Sequence, residues 1–261
     1  MTRHFLLIIL SLLLTATQLK AQITPAEPIS SKRLIKEFFQ KSLIYPLDDL
    51  KNNKSGKVVI SFNIDSKGIA SDHQIVSSFS DSASIVALDL VRKLLWIPAT
   101  RNAIPIDSQR EYVVEFNAKS YLKNNKKNPK LPLPKLELPL DDSYVIYNTK
   151  QLFDAARPYF ADKKYNMASY IAENLKYPEN AIAREVEGTV RLRFVVETDG
   201  NISNISIMKS VGGGCDNEAI RLIQQTRWIP ATKDGFYVRS FVEQDITFKI
   251  GKRNFQDGNS Y

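Results

Sequence analysis

Cysteine and histidine are nearly absent from this chain of 261 residues. The single cysteine, Cys215, excludes an internal disulfide and every zinc pattern that needs several cysteines. The two histidines, His4 and His73, lie far apart in the sequence. Two histidines so far apart give little support for a histidine-based metal centre or a Ser/His/Asp triad. We expect no metal, no cofactor and no enzymatic activity.

Long hydrophobic runs are also missing. The one extended apolar run, residues 5–14, is about half of the ~20 residues that a membrane-spanning helix needs. It follows a basic start at Arg3 and His4 and precedes a polar stretch that ends at Ala21. This layout is typical of a secretory signal peptide, so we expect cleavage after residue 21 and export to the periplasm. An uncleaved inner-membrane anchor that faces the periplasm is the alternative.

Lysine and arginine outnumber aspartate and glutamate, 36 against 28, which makes the formal net charge +8. A modest positive charge favours anionic surfaces in general, but we favour a solvated basic surface as its explanation. The sequence has no zinc-finger spacing and no aromatic RNA-binding motif. We therefore expect no nucleic-acid partner.

A repeat is present instead. The letters WIPAT occupy residues 96–100 and again 228–232, and they contain both tryptophans of the chain. A shift of 132 residues superposes the two copies without a gap from residue 45 to residue 116. The same shift superposes the pairs Tyr45 and Tyr177, Pro46 and Pro178, Gly56 and Gly188, Gly68 and Gly200, and Phe116 and Phe248. We interpret the chain as one domain written twice.

The second copy predicts the strands most clearly. Residues 189–197 alternate between apolar and polar side chains, which predicts a half-buried strand. Asp199 and Gly200 predict a hairpin turn into a partner strand at residues 201–208. Residues 239–250 predict a last strand with alternating apolar positions.

Helices are predicted on both sides of the hairpin. Residues 166–185 have helical spacing, interrupted at Pro178. After a glycine-rich turn, Asp216 is a candidate N-cap for a helix that we expect Trp228 to close and Pro230 to stop. The order helix, strand, strand, helix, strand predicts an α+β domain, a three-stranded antiparallel sheet with helices packed on one face.

We therefore predict five segments: a signal peptide at 1–21, a first, divergent domain at 32–118, a linker at 119–142, a second domain at 143–251 and a polar tail at 252–261. The linker is rich in lysine and proline and has no clean period, so we expect it to be extended and partly polyproline II. Three of its lysines are candidate contacts to an anionic polymer such as a cell-wall strand: Lys126, Lys127 and Lys130.

The second copy resembles the TonB C-terminal domain family. The matching features are Tyr177-Pro178, Gly188 before the first strand, Asp199-Gly200 in the turn, Asp216 and Ala219 in the helix, and Trp228-Ile229-Pro230-Ala231. The first copy resembles the family less closely, because it lacks the triple glycine and the aspartate before Gly68. A tandem pair of TonB-like domains is thus indicated.

The resemblance implies a protein-binding function. TonB proteins pass inner-membrane energy to outer-membrane receptors, and their C-terminal domain binds a short receptor segment that adds as a strand to an exposed sheet edge. In this chain the edge corresponds to residues 239–249, with a first-copy counterpart at about 108–117. The resemblance makes candidate peptide contacts of Arg239, Phe241, Glu243, Asp245, Thr247 and Lys249.

Two departures from the family limit what is carried over. Family members have a glutamine near the receptor contact, but Leu50 and Ile182 stand at the matching positions, and we expect both to pack inward. The apolar N-terminal run is short, and the proline-rich segment lies between the copies rather than before them. These departures favour a periplasmic binding or adaptor protein over an energy transducer.

Several partners and functions stay open. The first hypothesis is binding to a TonB-dependent outer-membrane receptor, or to another envelope protein, in TonB-linked transport. Alternatives are a structural adaptor that binds peptidoglycan and an energy transducer with an uncleaved anchor, and a homodimer is a further hypothesis. Cys215 and both tryptophans are interpreted as packing residues rather than as chemical groups.

Overall fold

The computed structural model describes residues 22–127, 136–162 and 164–250. The predicted signal peptide, the polar tail and Lys130 lie outside these residues. Within them, the chain forms two α+β domains, each built on an antiparallel sheet, joined by a short connecting segment.

The first domain contains, in chain order, β1 (Ile23–Thr24), β2 (Glu27–Pro28), α1 (Lys32–Ser42), α2 (Leu47–Lys51), β3 (Gly56–Ile64), β4 (Ala70–Ser77), α3 (Asp81–Arg92), β5 (Trp96–Ile97), β6 (Ala99–Arg101), β7 (Ile104–Ile106) and β8 (Ser108–Phe116). Its central sheet has the order β4-β3-β8. The short strands β1 and β2 pair with β6 and β5, so residues upstream of the predicted boundary also belong to this domain.

The connecting segment contains α4 (Ala118–Lys127), β9 (Ile146–Tyr147) and a 3₁₀ helix (Thr149–Gln151). The expectation of an extended linker is wrong for its first part, because residues 118–127 are helical. Tertiary packing explains the difference. Ala118 is fully buried, its N–H donates to Ser55 Oγ at 3.1 Å, and the Tyr121 ring lies 5.2 Å from that of Tyr45.

The second domain contains β10 (Arg157–Tyr159), α5 (Met167–Asn174), α6 (Glu179–Ala183), β11 (Gly188–Val196), β12 (Ile202–Lys209), α7 (Cys215–Gln224), β13 (Arg227–Ile229), β14 (Ala231–Lys233) and β15 (Phe236–Phe248). Its central strands have the order β12-β11-β15. The predicted fold class is confirmed, and β3, β4 and β8 correspond to β11, β12 and the last part of β15 at the predicted shift.

Local sequence explains where the helices begin. Ser31, Ser80 and Asn166 cap α1, α3 and α5, because each side-chain oxygen accepts a hydrogen bond from an N–H in the first turn. Asp216 is not the cap of α7, whose N-cap is Gly214. Its carboxylate accepts from Ser210 Oγ at 2.5 Å and from Val211 N–H at 3.0 Å, which holds the preceding turn against the helix.

The repeated WIPAT letters span two short consecutive strands in each domain, β5 and β6 or β13 and β14, rather than a helix end. The helices end earlier, at Arg92 and Gln224, and the tryptophans lie in β5 and β13. Both indole rings are buried, as predicted, with Trp96 centred 5.1 Å from Phe62 and Trp228 centred 5.2 Å from Phe194. Each tryptophan therefore closes the apolar core of its own domain.

A glycine is required where the hairpin turn meets this short strand. Gly68 has φ +84°, and a Cβ there would lie 2.3 Å from the carbonyl oxygen of Trp96. Any other residue at position 68 would therefore have a strained backbone, and its Cβ would clash with this carbonyl oxygen. In the second domain Trp228 N–H donates to the Gly200 carbonyl at 3.3 Å, so the same turn contacts the same strand.

The two domains share an interface in which α1 contacts both cores. Ile35 and Phe38 belong to the first core, whereas Leu34, on the same helix, belongs to the second. Polar contacts surround this helix. Ser30 Oγ donates to the Ile205 carbonyl at 2.9 Å, and Lys41 donates to the Gln224 carbonyl.

Candidate functional site

The last strand of each domain lies at one end of its three central strands. In the first domain, β8 pairs with β3 along its whole length, from Ser108 opposite Ile64 to Phe116 opposite Gly56. Among the residues that the structure describes, none pairs with the other side of β8. The backbone N–H and C=O groups on that side are free to receive an extended segment.

In the second domain the equivalent edge is partly occupied by the chain itself. Ser240 pairs with Val196 of β11 and also with Tyr147 of β9. The strand β9 therefore lies on the side of β15 opposite β11, where it runs parallel to β15. Just upstream, Tyr237 N–H donates to the Pro139 carbonyl at 2.8 Å, and Asp141 N–H donates to the Tyr237 carbonyl at 2.9 Å.

The open part of β15 consequently begins after Ser240. From residue 241 to residue 248 the strand pairs with β11 on one side, and no described residue pairs with its outer side. This open part corresponds to most of the predicted peptide-binding edge. The first two residues of the predicted edge, 239 and 240, are instead paired with β9. No local pattern in the sequence of the connecting segment indicates this contact.

Arg239 differs from the other predicted contacts because its side chain is buried. It is 3% exposed and forms an ion pair with Glu197, which is 1% exposed, at 2.8 and 2.9 Å. Two further donors bind the carbonyls of Tyr144 and Lys93, both at 2.8 Å. The guanidinium thus joins both domains and the connecting segment, so it is not available as a peptide contact.

The next predicted residues follow the exposed face of β15. Phe241 is half-buried beneath Arg193, whose guanidinium carbon lies 4.0 Å from the ring centroid. Glu243 is exposed. Asp245 accepts two hydrogen bonds from Arg191, at 2.7 and 2.8 Å. The Arg191 hydrogen bonds hold the pKa of Asp245 below its ordinary value, so this carboxylate is charged at neutral pH.

The remaining candidates lie at the end of the strand or in the linker. The hydroxyls of Thr247 and Thr189 form a cross-strand hydrogen bond at 3.0 Å, and Lys249 is exposed just after β15. Lys126 is exposed on α4, and Lys127 ends that helix. The structure thus brings four of the six candidate peptide contacts onto one face of β15, namely Phe241, Glu243, Asp245 and Thr247.

Three residues that the sequence interpretation treated as packing groups give different outcomes. Cys215 is fully buried at the start of α7, and this burial raises the pKa of its thiol, so it is a packing residue as predicted. Ile182 is 46% exposed, so the expectation that it packs inward is wrong. Leu50 packs against the first core.

Other site classes find little support in the described residues. No group of three or more histidine, cysteine, aspartate or glutamate side chains lies close enough together there to hold a metal ion. Within the same residues, no helix has the length and apolarity that a membrane crossing requires.

Comparison with known proteins points to one family for both domains. The family model described as Gram-negative bacterial TonB protein C-terminal matches residues 41–118 and 173–250. Protein TonB of Pseudomonas aeruginosa is 33% identical over 78 residues, which cover 30% of this chain and 23% of that protein. The similarity thus spans less than a quarter of the relative's length.

A solved structure of a TonB C-terminal domain is also similar to this chain in sequence. The solution NMR structure of the Pseudomonas aeruginosa TonB CTD is 28% identical to this chain and covers 38% of it, and the match includes 89% of that structure. The TM-score is 0.28, which is too low to support a structural argument.

Proposed function

Because this chain belongs to the family of Gram-negative bacterial TonB C-terminal domains, which it contains in two copies, we propose that it is a TonB-like binding protein of the cell envelope. In this proposal it engages an extended segment of an outer-membrane receptor by β-strand addition, as part of TonB-linked transport. It acts through binding rather than through catalysis.

One observation carries the proposal, the open outer side of β15 from residue 241 to residue 248. A strand edge presents a row of unpaired donors and acceptors, and an added peptide strand satisfies them without any special side chain. The edge is held rigidly, because Ile246 and Phe248 on its inner face are fully buried in the second core. A rigid edge binds a peptide at a lower entropic cost than a mobile one does.

The side chains on the exposed face would tune the choice of peptide. Glu243 adds negative charge, whereas the charge of the Asp245 carboxylate is balanced by its ion pair with Arg191. We expect Glu243 to favour segments with basic or neutral side chains opposite it. Specificity would then come from this face, and affinity mainly from the backbone.

The same proposal places the protein in the periplasm, where receptor segments of this kind are exposed. The sequence pattern of residues 1–21 supports export. We expect mass spectrometry of the native protein to find a chain that begins at Gln22. A native chain that still begins at Met1 would instead support the transducer with an uncleaved anchor.

Nuclear magnetic resonance provides the direct test. A blocked peptide with the sequence of a receptor box segment is titrated into the ¹⁵N-labelled chain, and the backbone amides are followed. We expect shifts that concentrate at residues 241–248, and no comparable shifts on β12, the opposite edge of the central strands. Shifts on β12, or no shifts on β15, would contradict the proposal.

A charge variant tests the specificity. Glu243→Lys should change the Kd of a charged box peptide about two- to fivefold, because an exposed pair contributes only ~0.2–1 kcal/mol. Glu27→Lys, at an exposed position of β2 in the first domain, is the matched control and should leave the Kd unchanged. If the two substitutions change the Kd equally, Glu243 does not belong to the binding surface.

A further inference from the structure

Gln22 is held against the hairpin that joins β6 and β7. The Gln22 N–H donates to Asn102 Oδ1 at 3.0 Å, and the Asn102 N–H donates to the Gln22 carbonyl at 2.9 Å. The next two residues continue this pairing as β1, with Ile23 opposite Arg101 and Thr24 opposite Thr100. Residues near a chain end are usually poorly ordered unless such contacts hold them. Gln22 is therefore part of the folded first domain.

The segment that follows β1 packs against the same domain. Ala26 is 1% exposed and belongs to the first core. Glu27 and Pro28 pair with β5 as β2, and the Ile29 N–H donates to the Leu95 carbonyl at 2.9 Å. Removal of residues from this end of the chain would therefore break contacts with both β5 and β6.

The expected cleavage after residue 21 makes Gln22 the first residue of the exported chain. Its free α-amine then lies within reach of its own side-chain amide. The α-nitrogen forms a bond with Cδ, and the bond between Cδ and Nε2 breaks. One proton passes from the amine to Nε2, which leaves as ammonia. The product is the five-membered lactam pyroglutamate, and the step needs no oxidant, reductant or second substrate.

The fold leaves the Gln22 side chain available for this reaction. The residue is exposed, and its side-chain amide forms no hydrogen bond among the residues that the structure describes. The side chain is therefore free to turn back towards its own backbone nitrogen.

The lactam also supplies the groups that the hairpin binds. It keeps one N–H, the single donor that Asn102 Oδ1 accepts here, and its backbone carbonyl is unchanged. Ring closure removes the positive charge of the terminal amine. That charge would lie close to Arg101, which precedes Asn102 and pairs with Ile23, and like charges repel each other.

We propose that Gln22 is a modification site, at which the exported chain carries an N-terminal pyroglutamate. The lactam ends the chain without a free amine. An aminopeptidase that requires this amine then cannot shorten the segment that pairs with β5 and β6. The modification depends on the proposed export, but it concerns the chemical state of residue 22 and not the binding of a peptide.

Mass spectrometry of the native protein tests this modification. The full chain is isolated from the cell envelope, and an amine-reactive label is added at lysis. The label records any free α-amine before it can cyclise during preparation. We expect the N-terminal peptide to begin at residue 22, to be lighter than its sequence by the mass of one ammonia, and to carry no label on its α-nitrogen.

Gln22→Asn is the matched control. Its side-chain amide is one methylene shorter, so the same attack would form a strained four-membered ring. We expect this variant to be cleaved at the same position, to keep its full mass and to carry the label. Its Asn102 N–H should exchange with solvent as slowly as in the unchanged chain, because both chains keep the carbonyl that accepts from it.

Four results would overturn the inference. A labelled peptide of full mass that begins at Gln22 would remove the modification and leave the proposed export intact. A native chain that begins at Met1 would contradict both, and a start at any other residue would exclude Gln22 as the site. Faster exchange at Asn102 in the unchanged chain than in Gln22→Asn would show that the lactam does not fit the hairpin.

Discussion

At the scale of single residues, Arg239 changes most between the sequence interpretation and the structure. The sequence places it at the start of an exposed strand, yet its guanidinium is buried against Glu197 and two carbonyls from other parts of the chain. A buried charge is tolerated only when its donors are satisfied, and here they are. Arg239 therefore contributes to the structure of the molecule and not to peptide recognition.

Replacing this arginine should destabilise the protein strongly. Arg239→Met leaves the Glu197 carboxylate buried without its partner, which costs about 3–5 kcal/mol. Urea denaturation would measure the loss in the free energy of unfolding. Combining Arg239→Met with Glu197→Met should recover part of the stability, since an apolar pair replaces a buried ion pair at little cost.

A matched control is available on the neighbouring strand β11. Arg191 forms a similar two-bond pair with Asp245, but this pair is exposed to solvent. Arg191→Met should therefore change the free energy of unfolding only slightly. If both arginine substitutions lower the free energy of unfolding by the same amount, burial does not explain the role of Arg239.

His73 should make the first domain sensitive to acid. Its ring stacks on Phe62 at 5.0 Å, and burial, followed by the charge of Arg92, lowers the pKa of His73 below its ordinary value of 6.5. The unfolded chain then binds the proton more readily than the folded chain does. The stability that the neutral ring contributes is present above pH 6.5 and is lost as the pH falls through the folded pKa.

The variant His73→Gln tests this dependence. Its melting temperature should fall less than that of the unchanged chain as the pH decreases below 6.5, because glutamine does not titrate. Thermal denaturation across this range is the measurement. Parallel curves for the two proteins would indicate that the imidazole of His73 has the same pKa in both states.

At the scale of secondary-structure elements, the pairing of β9 with β15 decides how much of the candidate edge is open. The connecting segment lies along this strand from Tyr237 to Ser240, so an added peptide can use only the residues beyond. The connecting segment is thus itself an example of strand addition, within one molecule. The lysines and prolines upstream of β9, at residues 119–139, predict a spacer, because such composition rarely forms a strand.

Proline substitutions in β9 should lengthen the open edge. Successive N–H groups of a strand point in opposite directions, so proline at Ile146 or at Tyr147 removes a donor that faces β15 in one of the two cases. We expect faster hydrogen exchange at residues 239–241 in that variant. The shifts caused by a box peptide should then extend towards residue 239.

Thr149→Pro is the matched control for this experiment. Thr149 is the first residue of the 3₁₀ helix, and its neighbour Asn148 is extended, so proline fits this position. Exchange at residues 239–241 should be unchanged in this variant. If the box peptide shifts the same amides in both β9 variants as in the unchanged chain, β9 does not limit the length of the open edge.

At the scale of the whole molecule, α1 joins the two domains because its apolar residues face both cores. Leu34 packs with the second core, while Ile35 and Phe38 pack with the first. The side chain of Asn204 strengthens this contact, because it accepts from Leu95 N–H and donates to the Lys93 carbonyl, both at 2.8 Å. The open edges of β8 and β15 are therefore held in a defined relation to each other.

Shortening Leu34 should weaken the connection between the domains. Leu34→Ala should cost ~2–5 kcal/mol if both domains unfold together. Calorimetry should then show a broader transition, or two transitions, as the domains become independent. Gln40→Ala, at an exposed position of the same helix, is the control and should leave a single transition.

The repeat, the strand alternation and the tryptophans predict the fold of each domain well. Those signals are local, and the side chains that produce them pack within their own domain. Glu243 and Thr247 could be placed on one face of the last strand for the same reason. The exposure of Ile182 could not be predicted, because burial depends on tertiary packing. The cap predicted at Asp216 was wrong although its partners are local, since Ser210 and Val211 lie only six and five residues earlier.

By itself, the sequence determined that the chain contains two α+β domains of one family, since period-two alternation and helix caps act over a few residues. The tertiary structure decided which edges are open, because an edge is covered or free only when distant segments meet. Arg239 and β9 owe their positions to such long-range contacts, and no local pattern encodes them.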